Sequence, residues 1–333
     1  MKRLSAIKII GASVICACVY LKSLDLVYAC DPCGLHNSVQ VPGIINTLRS
    51  TGLQSGSYTF GAQQQLSTFT VRGENDLRTT ESDLELIKTL SVTQASLGYN
   101  ISDSVAGQVN VPFIIRSYER FERFKKVEDT EAGFGDMSVS GTYSPYSYND
   151  VDSRVFLATI GGVKLPTGDT GSLTRIASED PTTADQRIQG RGLTLGTGSF
   201  DLPFGIIAFG RHGRAVAFAS TQYTIRGEGA ADYRFANDLL WTAAPGYLFL
   251  LGEEESLTTS LVLSGEHKGE DSLDGAALSK TSANNLYLGA DLFYSLTNRI
   301  SLQLALDFPV SLDVGGAAVK PQTRSRLAFS MSF

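Results

Sequence analysis

The last eleven residues of the chain, Thr323-Arg-Ser-Arg-Leu-Ala-Phe-Ser-Met-Ser-Phe333, decide how its fold is predicted. From Leu327 onward, large apolar residues alternate with small ones; the apolar set comprises Leu327, Phe329, Met331 and Phe333. Successive side chains of a β-strand point to opposite faces, whereas a helix repeats its faces every three to four residues. The stretch therefore predicts a strand with one wholly apolar face, one face of small residues and an aromatic carboxyl terminus.

The same alternation recurs upstream in segments of about ten to seventeen residues. We predict about twelve strands, at residues 55–70, 86–99, 104–117, 134–143, 153–165, 198–210, 213–226, 233–249, 256–268, 284–296, 299–311 and 322–333. Strands that are buried on both faces, as in soluble parallel sheets, would instead show continuous apolar runs. The pattern therefore predicts a sheet with one apolar face, built from strands long enough to span a bilayer when tilted.

The connections between these strands alternate in length. Long connections at residues 71–85, 118–133, 166–197, 227–232, 269–283 and 312–321 are separated by short ones at 100–103, 144–152, 210–213, 252–255 and 297–299. A membrane barrel with both termini in the periplasm has short turns on that side and long loops outside, whereas a β-sandwich has no reason to sort its loops in this way. In hydrocarbon, unpaired backbone groups cost several kcal/mol, so the first strand must pair with the last.

The sequence thus predicts an all-β fold, a closed antiparallel transmembrane β-barrel of about 12 strands of the bacterial outer-membrane type. Four prolines fall inside the predicted strands, at Pro112, Pro203, Pro245 and Pro309. Because proline has no backbone N–H to donate, each is expected at a bulge or a strand end. The sequence does not determine the exact strand boundaries around them.

Residues 1–29 have the features of a secretory signal peptide, with a basic start, an apolar run at 9–21 and small or apolar residues before Cys30. Lys22 and Asp25 interrupt the apolar run well short of a membrane-spanning length. Cleavage next to Cys30 leaves a lipoprotein as an alternative, although Tyr28 is bulky for that motif. We therefore predict a signal peptide at 1–29, a periplasmic segment or plug at 30–54, and an outer-membrane barrel at 55–333.

Charge and cysteine content exclude several functions. The formal net charge is −6, and removal of residues 1–29 takes away four basic residues and one acidic residue, which makes it −9. This charge argues against nucleic-acid binding. Cys30 and Cys33 are expected to form a disulfide or remain as thiols in the oxidising periplasm, since neither a second Cys-x-x-Cys nor a histidine pair completes a zinc site. No cofactor or metal is predicted.

Three motifs lie at predicted strand ends: Gly133-Phe-Gly-Asp136, Gly162-Val-Lys-Leu-Pro-Thr-Gly168 and Leu195-Gly-Thr-Gly-Ser-Phe-Asp201. In this order, over roughly residues 130–210, they resemble the "MetA-pathway of phenol degradation" family of outer-membrane transporters. The motif residues that carry the resemblance are Gly133, Gly135, Asp136, Lys164, Pro166, Gly168, Gly196, Gly198, Ser199 and Asp201. The resemblance implies a channel or transporter, for hydrophobic or aromatic small molecules among others, and carries over no ligand-binding residue.

The motif residues also have a physical interpretation. Glycines suit tight turns with unusual backbone angles, and Asp136 and Asp201 are expected to accept backbone amides in those turns. The functional alternative is that these two carboxylates contact a ligand or Ca²⁺ at the mouth of the barrel. The neighbouring segment, residues 116–126, interleaves charged and aromatic residues and is predicted to be a solvated outer loop.

Taken together, these features predict passive uptake of small molecules through the barrel. Selectivity is expected from four lumen residues, Gln303, Asp307, Arg324 and Arg326, of which Asp307 and Arg326 are placed to form an interior ion pair. The alternatives are a structural or adhesive barrel with a sealed lumen and a barrel hydrolase. The chain has no Gly-x-Ser-x-Gly motif and no P-loop, and Ser264 and His267 fall on opposite faces by parity, so an enzyme is not predicted.

The predicted partners follow from the predicted location in the bacterial outer membrane after secretory export. They are membrane lipid and lipopolysaccharide, a small-molecule solute, and the barrel-assembly machinery, which would recognise the carboxyl-terminal strand ending at Phe333. The solute itself, the oligomeric state and the role of Cys30 and Cys33 do not follow from the sequence.

Overall fold

A computed structural model of the chain describes residues 53–71, 86–122, 125–175, 188–252, 254–278, 281–313 and 319–333. The predicted disulfide cysteines Cys30 and Cys33, and the signal peptide, lie outside the described residues. The wall strands are β1 (Tyr58–Val71), β2 (Leu86–Asn100), β3 (Val105–Glu122), β4 (Lys125–Phe134), β5 (Ser138–Asn149), β6 (Ser153–Lys164), β9 (Asp201–His212), β10 (Ala215–Arg226), β12 (Asp238–Leu251), β13 (Ser256–Lys268), β16 (Ala283–Ser295), β17 (Ile300–Asp313) and β18 (Val319–Ser332).

These strands form one closed antiparallel sheet. β4 and β5 share a single position beside β3, so the ring has 12 positions, as the sequence predicts. The connections contain the remaining short strands. β7 (Thr174–Arg175) pairs with β8 (Ile188–Gln189), and β11 (Tyr233–Arg234), β14 (Ser272–Leu273) and β15 (Ala276–Ala277) form a small sheet of three strands. Within the described ranges, no helix is long and apolar enough to cross a membrane.

The carboxyl-terminal strand closes the barrel. β18 pairs with β17 on one side and with β1 on the other, with Phe60 opposite Met331 and Ala62 opposite Phe329. The last residue continues this ladder, since the backbone N–H of Tyr58 donates to the carbonyl of Phe333 at 2.8 Å and the reverse bond is 2.9 Å long. The prediction of a closing strand is therefore confirmed.

The two ends of the barrel differ in the length of the connections between their strands. Short turns at residues 101–104, 150–152, 213–214, 252–255 and 296–299 lie at one end, which we call the short-turn end and which also holds Phe333. The connections at 165–200, 227–237 and 269–282 lie at the opposite, long-loop end. The predicted parity of the loops is confirmed for these connections.

One predicted loop is wrong. The segment 118–133 was expected to be a solvated connection, but β3 continues to Glu122 and pairs with β4 from Lys125 onward. Cross-strand charge pairs accompany this hairpin; Lys126 Nζ, for example, lies 2.7 Å from a carboxylate oxygen of Glu119. Beyond the apolar band the outer face of a sheet need not be apolar, so hydropathy alternation gives no signal there. Arg116, expected on the loop, is fully buried.

Each proline that falls inside a wall strand lies at an interruption of the sheet. Pro112 lies where β3 changes its partner from β5 to β4. Pro203 and Pro245 lie at gaps in the pairing of β9 with β6 and of β12 with β13. Pro309 adjoins the register shift between β16 and β17. A missing N–H is tolerated at such positions, so the prolines mark bulges as expected.

The two faces of the sheet differ in chemistry. Large apolar side chains project outward and are exposed; examples are Leu97, Phe204, Leu261, Leu304 and Leu327. Inward positions are mostly buried and hold hydroxyl, amide and charged groups as well as two apolar regions. Water-soluble proteins rarely expose a continuous apolar belt of this kind, whereas membrane barrels require one.

The assignment of faces predicts the effect of an arginine on the outer surface. Replacing Leu304, which is 53% exposed and pairs with Leu327, by arginine should lower the free energy of unfolding by about 2–4 kcal/mol, because the charge enters hydrocarbon. The matched control is Gln303→Arg, one residue away on the inward face. Urea titration in phospholipid bilayers, read by gel mobility without boiling, measures the loss; equal losses for both variants would contradict the assignment.

Candidate functional site

The interior of the barrel has two unlike sides. Inward side chains of β6, β9, β10 and β12 form an apolar wall, comprising Phe156, Ala158, Ile160, Ile207, Phe209, Val216 and Leu248, with Phe218 packed against it. Across the barrel, β1, β2, β17 and β18 form a polar wall, comprising Thr59, Gln63, Gln65, Gln94, Ser96, Ser301, Gln303, Arg326 and Ser330. A solute inside the barrel would therefore meet apolar surface on one side and hydrogen-bonding groups on the other.

Aromatic stacking organises the apolar wall. The rings of Phe156 and Phe209 stack with their centroids 5.3 Å apart, within the usual range for paired aromatic side chains. Leu53, which precedes β1, packs into the same cluster and is only 7% exposed. Leu53 therefore lies inside the barrel, at the short-turn end, five residues before the first strand begins.

Interior space remains between the walls. Several inward side chains are only half-buried; on the polar wall they are Gln63, Gln65, Gln303 and Arg326, and on the facing strands Phe218, Ser220, Gln222 and Thr242. Because these side chains point away from the lipid face, their exposed parts face the interior. The structure thus places Gln303 and Arg326, both predicted from the sequence, on the surface of this space. Asp307 and Arg324 are buried.

The three sequence motifs meet at the long-loop end of the barrel. Lys164 Nζ lies 2.5 Å from Asp136 Oδ2 and 3.0 Å from Asp201 Oδ2, and all three side chains are at most 1% exposed. Asp136 also accepts the backbone N–H groups of Gly168 at 2.9 Å and Thr197 at 2.8 Å. The carboxylate thus joins β6, the gap between β4 and β5, and the segment before β9. We use the name motif cluster for six residues: Asp136, Lys164, Asp201, Ser199, Arg226 and Asp238.

The other half of the motif cluster extends along the barrel wall. Ser199 Oγ donates to Asp201 Oδ1 at 2.7 Å, and Arg226 Nη1 lies 3.0 Å from Asp201 Oδ2. Arg226 also donates through Nε to Asp238 Oδ2 at 3.0 Å. Buried charges are costly unless each is paired and hydrogen-bonded, and here every acid has at least one basic partner. The expected bond to a turn amide is present at both motif aspartates, since Asp201 accepts the N–H of Gly227 at 3.1 Å.

Two motif glycines allow the backbone segments to approach closely. A Cβ added to Gly168 would lie 2.7 Å from the Cα of Gly196, and one added to Gly196 would lie 2.5 Å from the carbonyl oxygen of Gly168. Gly198 has φ +71°, a conformation that favours glycine. The remaining motif residues lie nearby: Gly133 and Gly135 face Leu195 and Ile114, and Pro166 is half-buried in the turn after β6.

The segment 190–197 folds into the barrel, where it narrows the interior. Arg116, an inward residue of β3, donates to the carbonyl of Gly192 at 2.8 Å and to that of Thr194. Leu193 and Leu195 pack among inward apolar residues of β1, β2 and β3, which include Phe69, Leu90 and Ile114. The motif cluster holds the end of this segment, and Arg116 holds its middle.

A second charged cluster lies on β13, β16, β17 and β18. Arg324 binds Glu266 at 2.5 Å and Asp307 at 3.1 Å, donates to Ser264 and lies over the ring of Tyr287, 4.3 Å from its centroid. Arg326 Nη2 lies 3.0 Å from Asp307 Oδ2, and Gln303 Nε2 donates to Asp291 at 2.8 Å. Three of the four predicted lumen residues, Asp307, Arg324 and Arg326, thus share one network, and Gln303 makes a separate contact with Asp291. Their role in selectivity stays a prediction.

The sequence did not indicate Arg116, Arg226, Glu266 or Thr197 as site residues. Arg116, Arg226 and Glu266 lie outside the three motifs and reach the site only in the folded chain, whereas Thr197 lies within the third motif. For the first three residues, the assignment of strand faces is the only signal in the sequence. His267 is exposed on the outer face while Ser264 binds Arg324 inside, in agreement with their parity. At the short-turn end, Ser153 Oγ lies 2.8 Å from Nδ1 of the exposed His212.

In the part of the chain that the structure describes, no cluster of His, Cys, Asp and Glu could hold a metal.

Comparison with known proteins identifies the fold. No family model matches the chain, and no curated protein matches it. Among solved structures it is similar to the COG4313 outer membrane channel from Pseudomonas putida F1, with a TM-score of 0.56 and 15% identity over 85% of this chain and 98% of that one. The β domain of the Bordetella autotransporter BrkA (TM-score 0.43, 10% identity, 84% and 100% covered) and the CymD monoaromatic hydrocarbon channel (0.37, 9%, 93% and 99%) resemble it less.

The motif cluster should be essential to the stability of the long-loop end. Lys164→Met removes the cation between two buried carboxylates and should lower the free energy of unfolding by about 3–5 kcal/mol, the usual cost of an uncompensated buried charge. The double variant Asp136→Asn with Lys164→Met should recover part of this loss, because Asp201 keeps Arg226 as its partner. Urea unfolding of the three proteins measures the differences; a double variant no more stable than Lys164→Met would contradict the assigned pairing.

Proposed function

We propose that the chain is an outer-membrane channel through which small molecules, hydrophobic or aromatic ones among them, diffuse passively into the periplasm. This proposal rests on one observation, the interior space between the apolar and polar walls. The exposed parts of Gln63, Gln65, Gln303 and Arg326 line this space. A barrel with a purely structural role needs no interior space lined by half-buried polar groups. The narrowing at segment 190–197 would set the size of the solute.

The outward face supports a location in the bacterial outer membrane. Its exposed apolar belt suits hydrocarbon, and the closed ladder leaves no sheet edge in the wall between β1 and β18. With the short-turn end in the periplasm, the motif cluster and segment 190–197 would stand at the extracellular side. The terminal Phe333 would then lie at the periplasmic interface, where the barrel-assembly machinery is expected to read this strand.

We also propose membership of the phenol-degradation family that the motifs resemble. Its support is that Asp136, Lys164 and Asp201, one residue from each motif, are in direct contact. Three separate sequence matches that arise by chance have no reason to converge in space. The similar Pseudomonas protein is described as an outer membrane channel, which agrees with this proposal, although an identity of 15% supports the fold alone.

A liposome experiment tests the channel and the role of segment 190–197 together. Liposomes that contain the protein should admit small sugars or aromatic acids faster than empty liposomes. Arg116→Met should increase this rate several-fold, because it removes the hydrogen bonds that hold residues 192 and 194 inside the barrel. Lys126→Met, which changes the same hairpin outside the lumen, is the matched control.

A sealed barrel is the second candidate, because segment 190–197 and the buried inward side chains occupy much of the interior. Liposomes that admit no solute with either the native protein or Arg116→Met would contradict the channel and favour a structural or adhesive role. A faster rate for Arg116→Met alone would mean that the native barrel is closed at this segment.

Hydrolytic activity is not expected. The contact of Ser153 with His212 is a feature that would favour a hydrolase, and both residues lie at the exposed short-turn end. Purified protein should hydrolyse phospholipid and p-nitrophenyl esters no faster than His212→Ala. An activity that the native protein has and His212→Ala lacks would overturn this expectation.

A further inference from the structure

A cavity of about 180 Å³ lies inside the short-turn end of the barrel. Its floor is apolar, formed by Phe209, Val216 and Leu248 of the apolar wall and by Phe293 from β16. A cavity of about 150 Å³ with apolar lining holds one benzene molecule, so this one has room for a single aromatic ring or a short aliphatic chain. Because it continues the apolar wall, a solute that follows the wall would reach it last.

Two arginines line one side of this cavity. Arg154 of β6 and Arg211 of β9 are direct cross-strand partners, and both are half-buried. Like charges placed directly opposite each other destabilise a sheet, and an anion between them would offset that repulsion. Arg211 donates to the carbonyls of Gly213 and Val151, both at 3.2 Å, which hold its guanidinium in place but are neutral acceptors.

The rest of the lining fits the same kind of ligand. Ser256, Thr258 and Ser295 provide hydroxyl groups beside the apolar floor. Glu254 and Glu255 are exposed at the entrance of the cavity, where water and salt screen their charge. The two arginines are less exposed, so their field is screened less.

We propose that this cavity binds small amphipathic carboxylates, with the apolar body of the ligand on Phe209 and Leu248 and its carboxylate on Arg154 and Arg211. Planar guanidinium groups bind carboxylates through paired, charge-assisted hydrogen bonds, which makes them well suited to this role. The inference rests on the proposed channel function and specifies its solute, a weak organic acid rather than a neutral hydrocarbon. The site would be the last one that the solute occupies before the periplasm.

Binding to the purified full-length mature protein tests the site without transport. Isothermal titration with benzoate should show one site, and its uncharged analogue benzamide should bind at least about tenfold more weakly, the loss expected for charge-assisted hydrogen bonds. The double variant Arg154→Gln with Arg211→Gln should weaken benzoate binding by at least the same factor and leave benzamide unchanged. Arg214→Gln is the matched control, since Arg214 binds the carbonyls of Leu248 and Phe249 and does not line the cavity.

Other results would overturn the proposal. Equal binding of benzoate and benzamide, or benzoate binding that survives the double substitution, would show that the arginines do not form the site. Binding that occurs only after removal of residues 30–50 would assign the cavity to the chain's own amino-terminal segment instead.

If the double variant fails to show native gel mobility, Arg154→Lys with Arg211→Lys keeps the charges and should bind benzoate with intermediate affinity. Failure of the channel itself would appear separately, in liposomes that admit neither ligand.

Discussion

Backbone pairing is the constraint from which the rest of this structure follows. An amide or carbonyl group without a partner costs several kcal/mol in hydrocarbon, so a sheet that crosses a membrane has to close. Closure here depends on the ladder between β1 and β18, which runs from Thr59 opposite Ser332 to Val71 opposite Val319. Prolines are confined to interruptions of the sheet for the same reason, because a missing N–H elsewhere would leave an acceptor unpaired.

Closure also decides where charge can be placed. Outward positions in the apolar belt are unavailable to ionised groups, so charged groups at that level lie inside, where burial favours pairing of acids with bases. Among the described wall strands, two such clusters form, one around Lys164 and Arg226 and one around Arg324, whereas Arg154 and Arg211 face each other at the short-turn end. In each cluster a base contacts carboxylates from different strands, so charge compensation adds cross-links to the backbone ladder.

The sequence predicted the barrel, its strand number and most faces because the alternation of apolar residues follows directly from contact with lipid. It predicted that Asp307, Arg324 and Arg326 face inward for the same reason. It failed at residues 118–122 and 125–133, where hairpin positions such as Glu119, Lys126 and Glu128 are charged and hydropathy alternation carries no information. It also could not show that Asp136, Lys164 and Asp201 meet, because their contact depends on the register of strands far apart in the chain.

The infolded segment links the motif residues to the size of the interior. Gly168 and Gly196 are in backbone contact, so a larger residue at either position would push the end of segment 190–197 away from the wall. Asp136 binds both sides of this contact through the N–H groups of Gly168 and Thr197, and Lys164 neutralises it. The segment is therefore held by buried charge at one end and by Arg116 at its middle, which is a stable arrangement for a constriction. A solute that passes it would then move between a wall that favours its apolar part and a wall that hydrogen-bonds its polar part, which matches an amphipathic molecule better than a wholly apolar or a highly hydrated one.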